Sequence, residues 1–106
     1  MVVDVSTARR AEVIKALAEP ARWRIVERLG VEELCVCHLV EELDIPQPLV
    51  SHHLKVLRAA GIVESERFKQ WTYYRLLPDT VAALSDDLIE VTRNATGASG
   101  RRRPCC

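Results

Sequence analysis

The chain has 106 residues, 48% apolar and 28% charged, with a formal net charge of zero. That length and composition describe one small globular domain and exclude a disordered or collagen-like chain. No run of about eighteen uncharged apolar residues occurs, which excludes a helical membrane span.

Met1 to Arg10 carries Asp4, Arg9 and Arg10 and no apolar stretch, so a secretory signal is not expected. The four cysteines are then expected as thiols in a reducing cytoplasm. A chain this short hides only about 60–70% of its unfolded surface, which makes a homodimer a reasonable expectation. The zero net charge conceals two opposed segments. Residues 27–46 hold one arginine against six acids, and residues 47–75 hold Lys55, Arg58, Arg67, Lys69 and Arg75 against Glu64 and Glu66. Arg101, Arg102 and Arg103 add three more positive charges near the C-terminus. A patch of one sign matters more to a polyanionic partner than the mean does.

Helical periodicity dominates the first sixty residues. Val13, Ile14, Leu17 and Ala18 fall at helical spacing in 6–19, with Ser6 as the expected N-cap. Pro20 breaks this helix and opens a second, whose apolar side is Ile25, Val26 and Leu29 and whose end is Gly30. A third helix is expected from Leu34 to Leu43, burying Leu34, Leu39, Val40 and Leu43. Asp44-Ile45-Pro46-Gln47-Pro48 reads as a turn, and Pro48 starts a fourth helix that runs to Ala60 and stops at Gly61. Ile62–Phe68 and Trp71–Leu77 have strand composition and meet at Lys69-Gln70, so they read as a hairpin. Pro78 ends it. A fifth helix follows over 79–95, with Val81, Leu84, Leu88 and Val91 on one stripe.

The order predicts a mainly α fold with a small β-hairpin, a winged helix–turn–helix. Residues 1–96 are expected to form the DNA-binding and dimerisation domain, and 97–106 a flexible, basic, cysteine-containing tail.

At roughly 100° per residue, Val50, Leu54 and Leu57 cluster on the buried side of the fourth helix. Pro48, Ser51, His52, Lys55 and Arg58 spread over the opposite half, Gln47 sits at the entrance, and His53 falls near the border. An amide, a hydroxyl, an imidazole and cations on one face suit base edges and phosphates in a major groove. A solvated amphipathic helix is the alternative, and the turn before this helix and the hairpin after it favour the groove. Lys69 and Gln70 at the wing tip, with Arg67 nearby, would touch phosphates or a minor groove, or form an ordinary polar turn.

Cys35 and Cys37 flank Val36, and Cys105 and Cys106 end the chain. A zinc site of four thiolates needs two spaced pairs, which C-x-C and C-C fit poorly. Three thiolates would suit a soft ion or metalloid. On a regular helix, residues i and i+2 point about 200° apart. Ligand binding through both cysteines is therefore expected to unwind, or hold unwound, the first turn of the third helix. The alternative is that the pair are small buried hydrophobes. The tail could span up to roughly 33 Å and deliver Cys105 or Cys106 to the third helix of its own subunit or a partner.

The stretch Glu33-Leu34-Cys35-Val36-Cys37-His38-Leu39 resembles the ELCVCDL metalloid-binding box of the ArsR/SmtB family, in its arsenic-responsive branch. Ala16-Leu17-Ala18-Glu19-Pro20-Ala21-Arg22 resembles the opening run of that family, Gln47 to Arg58 its recognition helix, and Gly61-Ile62-Val63 with Tyr73-Tyr74-Arg75-Leu76 its wing strands. The resemblance covers residues 11 to about 92. It implies a transcriptional repressor that is a homodimer through about 6–19 and 79–95 and binds double-stranded operator DNA with dyad symmetry. On this reading Gln47, Ser51 and His52 contact the DNA, and Cys35 and Cys37 ligate the inducer, As(III) or Sb(III). The branch often has a third cysteine where this chain has Val40, so Cys105 or Cys106 would complete the site. His38 replaces the aspartate of the box. The last helix has Asp79, Asp86, Asp87 and Glu90 but no histidine, so the zinc site of the related branch is not expected.

Two alternatives share the fold: a repressor sensing cadmium, lead or zinc, and one switched by thiol oxidation. An enzyme is not expected. The four glycines make no phosphate-cradling loop, and no nucleophile–base pair stands at a workable spacing.

Overall fold

A computed structural model describes residues 4–102. Five helices are present, α1 (Val5–Ala18), α2 (Pro20–Leu29), α3 (Val36–Leu43), α4 (Gln47–Ala59) and α5 (Pro78–Gly97). With them stand three strands, β1 (Leu34–Cys35), β2 (Val63–Phe68) and β3 (Trp71–Leu76). The strands form one antiparallel sheet in the order β1-β3-β2.

Local chemistry sets most boundaries. The Asp4 carboxylate accepts from Thr7 N–H at 2.7 Å, so the N-cap of α1 is Asp4 rather than the expected Ser6, which lies inside the first turn. Aspartate caps a helix as well as serine does, and its negative charge is further favoured at a helix N-terminus. Glu19, between α1 and α2, caps α2 through Arg22 N–H at 3.1 Å, and Pro20 fills the first helical position. Asp44 closes α3 in the left-handed region at φ 55°, where its N–H reaches Val40 O at 2.9 Å. Gly61, at φ 74°, turns the chain from α4 into the hairpin.

The third helix departs from expectation. Leu34 and Cys35 are not helical; they pair with Tyr74 and Tyr73 of β3, giving the sheet a third strand beside the expected hairpin. The pairing with β3 holds these two residues extended, and the helix begins only at Val36. The fourth and fifth helices each start one residue before the expected position, and α5 extends through Gly97, the first residue of the expected link.

Ile25, Leu39, Val50, Leu54, Leu57, Ile62 and Val63 are fully buried and join α2, α3, α4 and the base of the hairpin in one core. Thr80 donates to Gly61 O at 2.6 Å and Leu77 N–H to Ile62 O at 2.8 Å, which fix the start of α5 against the base of the hairpin. Of the expected α5 stripe only Leu84 is buried. Leu88 is 55% exposed and Val91 65%, and Ile89 and, on α1, Val5 and Ile14 are exposed as well. Arg10 on α1 pairs with Asp87 on α5 at 2.7 Å, so the two helices that carry this apolar surface are tied together. No helix among the described residues is long and apolar enough to cross a membrane.

Candidate nucleic-acid interface and thiol site

The helix–turn–helix is α3, the turn at Asp44–Pro46, and α4. Leu39 and Leu43 of α3 and Val50, Leu54 and Leu57 of α4 share the core, so α4 is held by one face only. Gln47, Pro48, Leu49, Ser51, His52, Lys55 and Arg58 are exposed, and the polar face expected from the sequence is assembled as read.

His53 is not at the border but inside, 9% exposed. Its Nδ1 lies 3.2 Å from Arg22 Nη1 and its Nε2 3.8 Å from the Glu19 carboxylate. Facing a guanidinium that can only donate, Nδ1 must accept, which puts the ring proton on Nε2. Burial holds the imidazole below its ordinary pKa; Glu19 opposes that, and Arg22 and His52 reinforce it. Arg22 also donates from Nε to Ala16 O at 2.7 Å. One side chain thereby joins the end of α1, the start of α2 and the middle of α4. Sequence reading missed this pair; the only signal was that Arg22 belongs to the family-like run Ala16–Arg22.

The wing is the β2–β3 hairpin. Phe68 pairs with Trp71, so Lys69-Gln70 is a two-residue turn, with Lys69 at φ 57°. Arg67, Lys69 and Gln70 are exposed at this tip, as expected, with Phe68 and Trp71 exposed beside them. The Lys69 ammonium sits 5.5 Å from the centre of the Phe68 ring. Arg75 is engaged by Glu64 and by Glu66 at 3.5 Å, and so is not a free phosphate ligand.

Cys35 occupies the junction of β1 and α3. It is buried, with extended backbone (φ −90°, ψ 170°), and serves as the N-cap of α3; Cys37 is exposed in the first turn. This backbone bend brings the two Sγ atoms to 2.8 Å while α3 stays helical from Val36. The expectation that the third helix begins at Leu34 and carries both cysteines is therefore corrected; of the two outcomes expected for its first turn, unwinding by the ligand or being held unwound, the extended Leu34–Cys35 segment already has the unwound form. The sulfurs converge because one of them belongs to a strand. His38 closes the arrangement: its Nδ1 accepts from Cys35 N–H at 3.2 Å and lies 3.3 Å from Cys35 Sγ, and its ring packs near Tyr73 at 6.4 Å.

The two thiols differ. Burial works to raise Cys35, but the hydrogen bond from Cys37 and the surrounding backbone N–H groups outweigh it and hold Cys35 below the usual thiol range. Cys37 is held above it, first by its hydrogen bond with Cys35 and then by burial. Two sulfurs this close are a donor set that fits soft, thiophilic ligands. Among the described residues no group of three or more His, Cys, Asp or Glu could hold a metal ion. Cys105 and Cys106, expected to supply the third sulfur, lie outside the described residues.

A helix–turn–helix whose second helix turns a polar, partly basic face outward, followed by a hairpin with cations at its tip, defines a winged-helix DNA-binding protein. The family model for bacterial regulatory proteins of the arsR family matches residues 19–65. The chain is 45% identical over 74% of its length to the HTH-type transcriptional repressor SmtB of Mycobacterium tuberculosis, of which the match spans 58%. It is 38% identical over 79% of its length to the arsenic resistance transcriptional regulator ArsR2 of Pseudomonas putida, of which the match spans 73%. An ArsR-like transcriptional regulator from Rhodococcus sp. RHA1 superposes with a TM-score of 0.78 at 26% identity, covering 86% of each chain. The chain belongs to the ArsR family of bacterial transcriptional regulators. Its relatives are regulators rather than enzymes, in agreement with the sequence reading.

Proposed function

We propose that the chain is a metalloid-responsive repressor that holds a dyad-symmetric operator as a homodimer and releases it when thiolates capture As(III) or Sb(III). The observation that carries this reading is the 2.8 Å approach of Cys35 and Cys37 at the head of α3, the helix packed against α4. The arsenic resistance regulator ArsR2, named for that response, supports the choice of metalloid.

Cys35 and Cys37 supply two sulfurs, and Cys105 or Cys106 of the tail at 97–106 supplies the third. Each As–S bond formed from arsenous acid and a thiol releases one water, so the step needs no oxidant or reductant. Gln47, Ser51, His52 and Lys55 meet the major groove, and Arg67, Lys69 and Gln70 meet the phosphates or minor groove beside it. Dimerisation through α1 and α5 is supported by the outward Leu88, Ile89, Val91 and Ile14, an apolar surface that a second copy would cover.

The test is fluorescence anisotropy of an operator duplex titrated with the protein, with and without arsenite. A coupling of about 1–3 kcal/mol weakens operator binding about 5–150-fold, and DNA weakens arsenite binding by the same factor. Unchanged affinity at saturating arsenite would refute induction, and a Cys35→Ser protein that responds fully would refute the site. The close sulfur pair also favours a second reading, a thiol-redox repressor of the same fold; release by peroxide in the absence of any metalloid would select it.

A further inference from the structure

The polar groups on α4 account for its contacts to donors, acceptors and phosphates. Leu49 is left over. It stands in the first turn, 49% exposed, and its N–H is fixed to Pro46 O at 3.0 Å. A single exposed leucine on a protein surface is ordinary. This one is distinguished by its position. The N-terminal residues of a helix entering a major groove are those that reach base edges.

At roughly 100° per residue Leu49 lies about 60° from His52, one turn before it on the same edge of the exposed face. Val50, Leu57 and Leu54 lie about 80–140° round the helix from Leu49 and are buried in the core, so Leu49 stands at the border of the exposed face, with half of its surface open. It is also not part of the apolar surface of α1 and α5, because it sits on the helix whose other exposed groups are Gln47, Ser51, His52, Lys55 and Arg58. An aliphatic side chain offers no hydrogen bond to a base. The major groove presents one apolar group, the 5-methyl of thymine.

We infer that Leu49 reads a thymine methyl group in each half-site of the operator. The inference rests on the reading of α4 as the helix that enters the DNA, and it adds a base preference that the polar residues of α4 do not supply. Burying one methyl is worth about fourfold in affinity, hence about fifteenfold for the two half-sites of a dimer.

The experiment starts by selecting duplexes from a random pool with the full chain. Each dT of the selected half-site is then replaced in turn by dU, which removes only the methyl. Affinities are measured by anisotropy for the wild type and for Leu49→Ala. Because the side chain is exposed, the alanine variant leaves the core intact, and the dU series needs no change in the protein at all. The expected result is one thymine per half-site whose replacement costs the wild type about fourfold and costs Leu49→Ala nothing. The inference is overturned if no thymine shows that difference, or if the selected half-site holds no required thymine. Recovery of duplexes that bind specifically but ignore the methyl would overturn this inference alone. Failure to enrich any duplex would bring down the repressor reading and the inference with it.

Discussion

The Arg22–His53 contact sets a stability and a pH dependence that can be worked out from its geometry. Replacing His53 with alanine removes the acceptor 3.2 Å from Arg22 Nη1 and empties a site that is 9% exposed. A hydrogen bond to a charged group contributes about 1.5–3 kcal/mol, and lost packing adds to it, so the cost is about 2–4 kcal/mol. With domains of this size stable by about 5–15 kcal/mol, that is a large fraction. At an m-value of about 2 kcal/mol/M the urea midpoint should fall by about 1–2 M.

The pH dependence has a definite sign. The folded chain holds His53 below its ordinary value of 6.5, so the unfolded chain binds the proton more readily. Stability is then intact above that value and is lost as pH falls below it, by at most about 1.4 kcal/mol per pH unit, until the folded-state pKa is passed. His53→Gln keeps an acceptor for Arg22 and cannot titrate. Urea melts at about pH 7.5 and pH 5.5, at fixed protein concentration, should show a smaller pH loss in His53→Gln than in the wild type. An alanine variant within about 0.5 kcal/mol of wild type, or a pH loss identical in the glutamine variant, would refute this account.

Two further outcomes follow from particular positions. Asp44 closes α3 at φ 55°, a conformation glycine adopts without cost, so Asp44→Gly should stabilise the fold by about 0.5–1 kcal/mol and raise Tm by several degrees; a lowered Tm would mean the aspartate side chain contributes more than its backbone costs. Leu88→Glu, at a site 55% exposed, should leave helix content and monomer stability unchanged but shift the molar mass seen by light scattering from dimer to monomer; a dimer that survives the charge would place the interface elsewhere.

The five helices and the hairpin were legible because punctuation marks them. Pro20, Gly30 and Pro78 each stand within a residue of an observed boundary and Gly61 within two, and the residues after Gly61 have the composition of strands. β1 was not legible. Two residues cannot show a period, and Leu34 and Cys35 are extended because Tyr74 and Tyr73, some forty positions later, offer them a ladder. The local pattern from Leu34 onward is as good a helix start as Val36, and only the tertiary partner decides. His53 was misjudged for a related reason. On a helical wheel it lies at the edge of the apolar side, and it becomes buried through Arg22 and Glu19, which arrive from another helix pair. The polar residues Gln47, Ser51, His52 and Lys55 and the wing residues Arg67, Lys69 and Gln70 were legible as exposed, because burial of their neighbours leaves them no other side.

The unforeseen strand changes how the proposed inducer would act. Cys35 belongs to two elements at once, as the last residue of β1 and the N-cap of α3. With both sulfurs already converged, ligation has no helical turn to unwind. On the proposed reading, a ligand that also recruits a third donor would instead draw on the place where β1 meets β3 and α3 begins. Two register pairs hold β1 to the sheet, Leu34 with Tyr74 and Cys35 with Tyr73. A backbone hydrogen bond contributes a net of about 0.5–1.5 kcal/mol, so loosening two of them amounts to about 1–3 kcal/mol, the scale of coupling that induction requires. β3 carries Trp71 at the wing tip, and α3 supports α4 through Leu39 and Leu43. A disturbance confined to one buried cysteine therefore has direct mechanical contact with both elements proposed to read the operator.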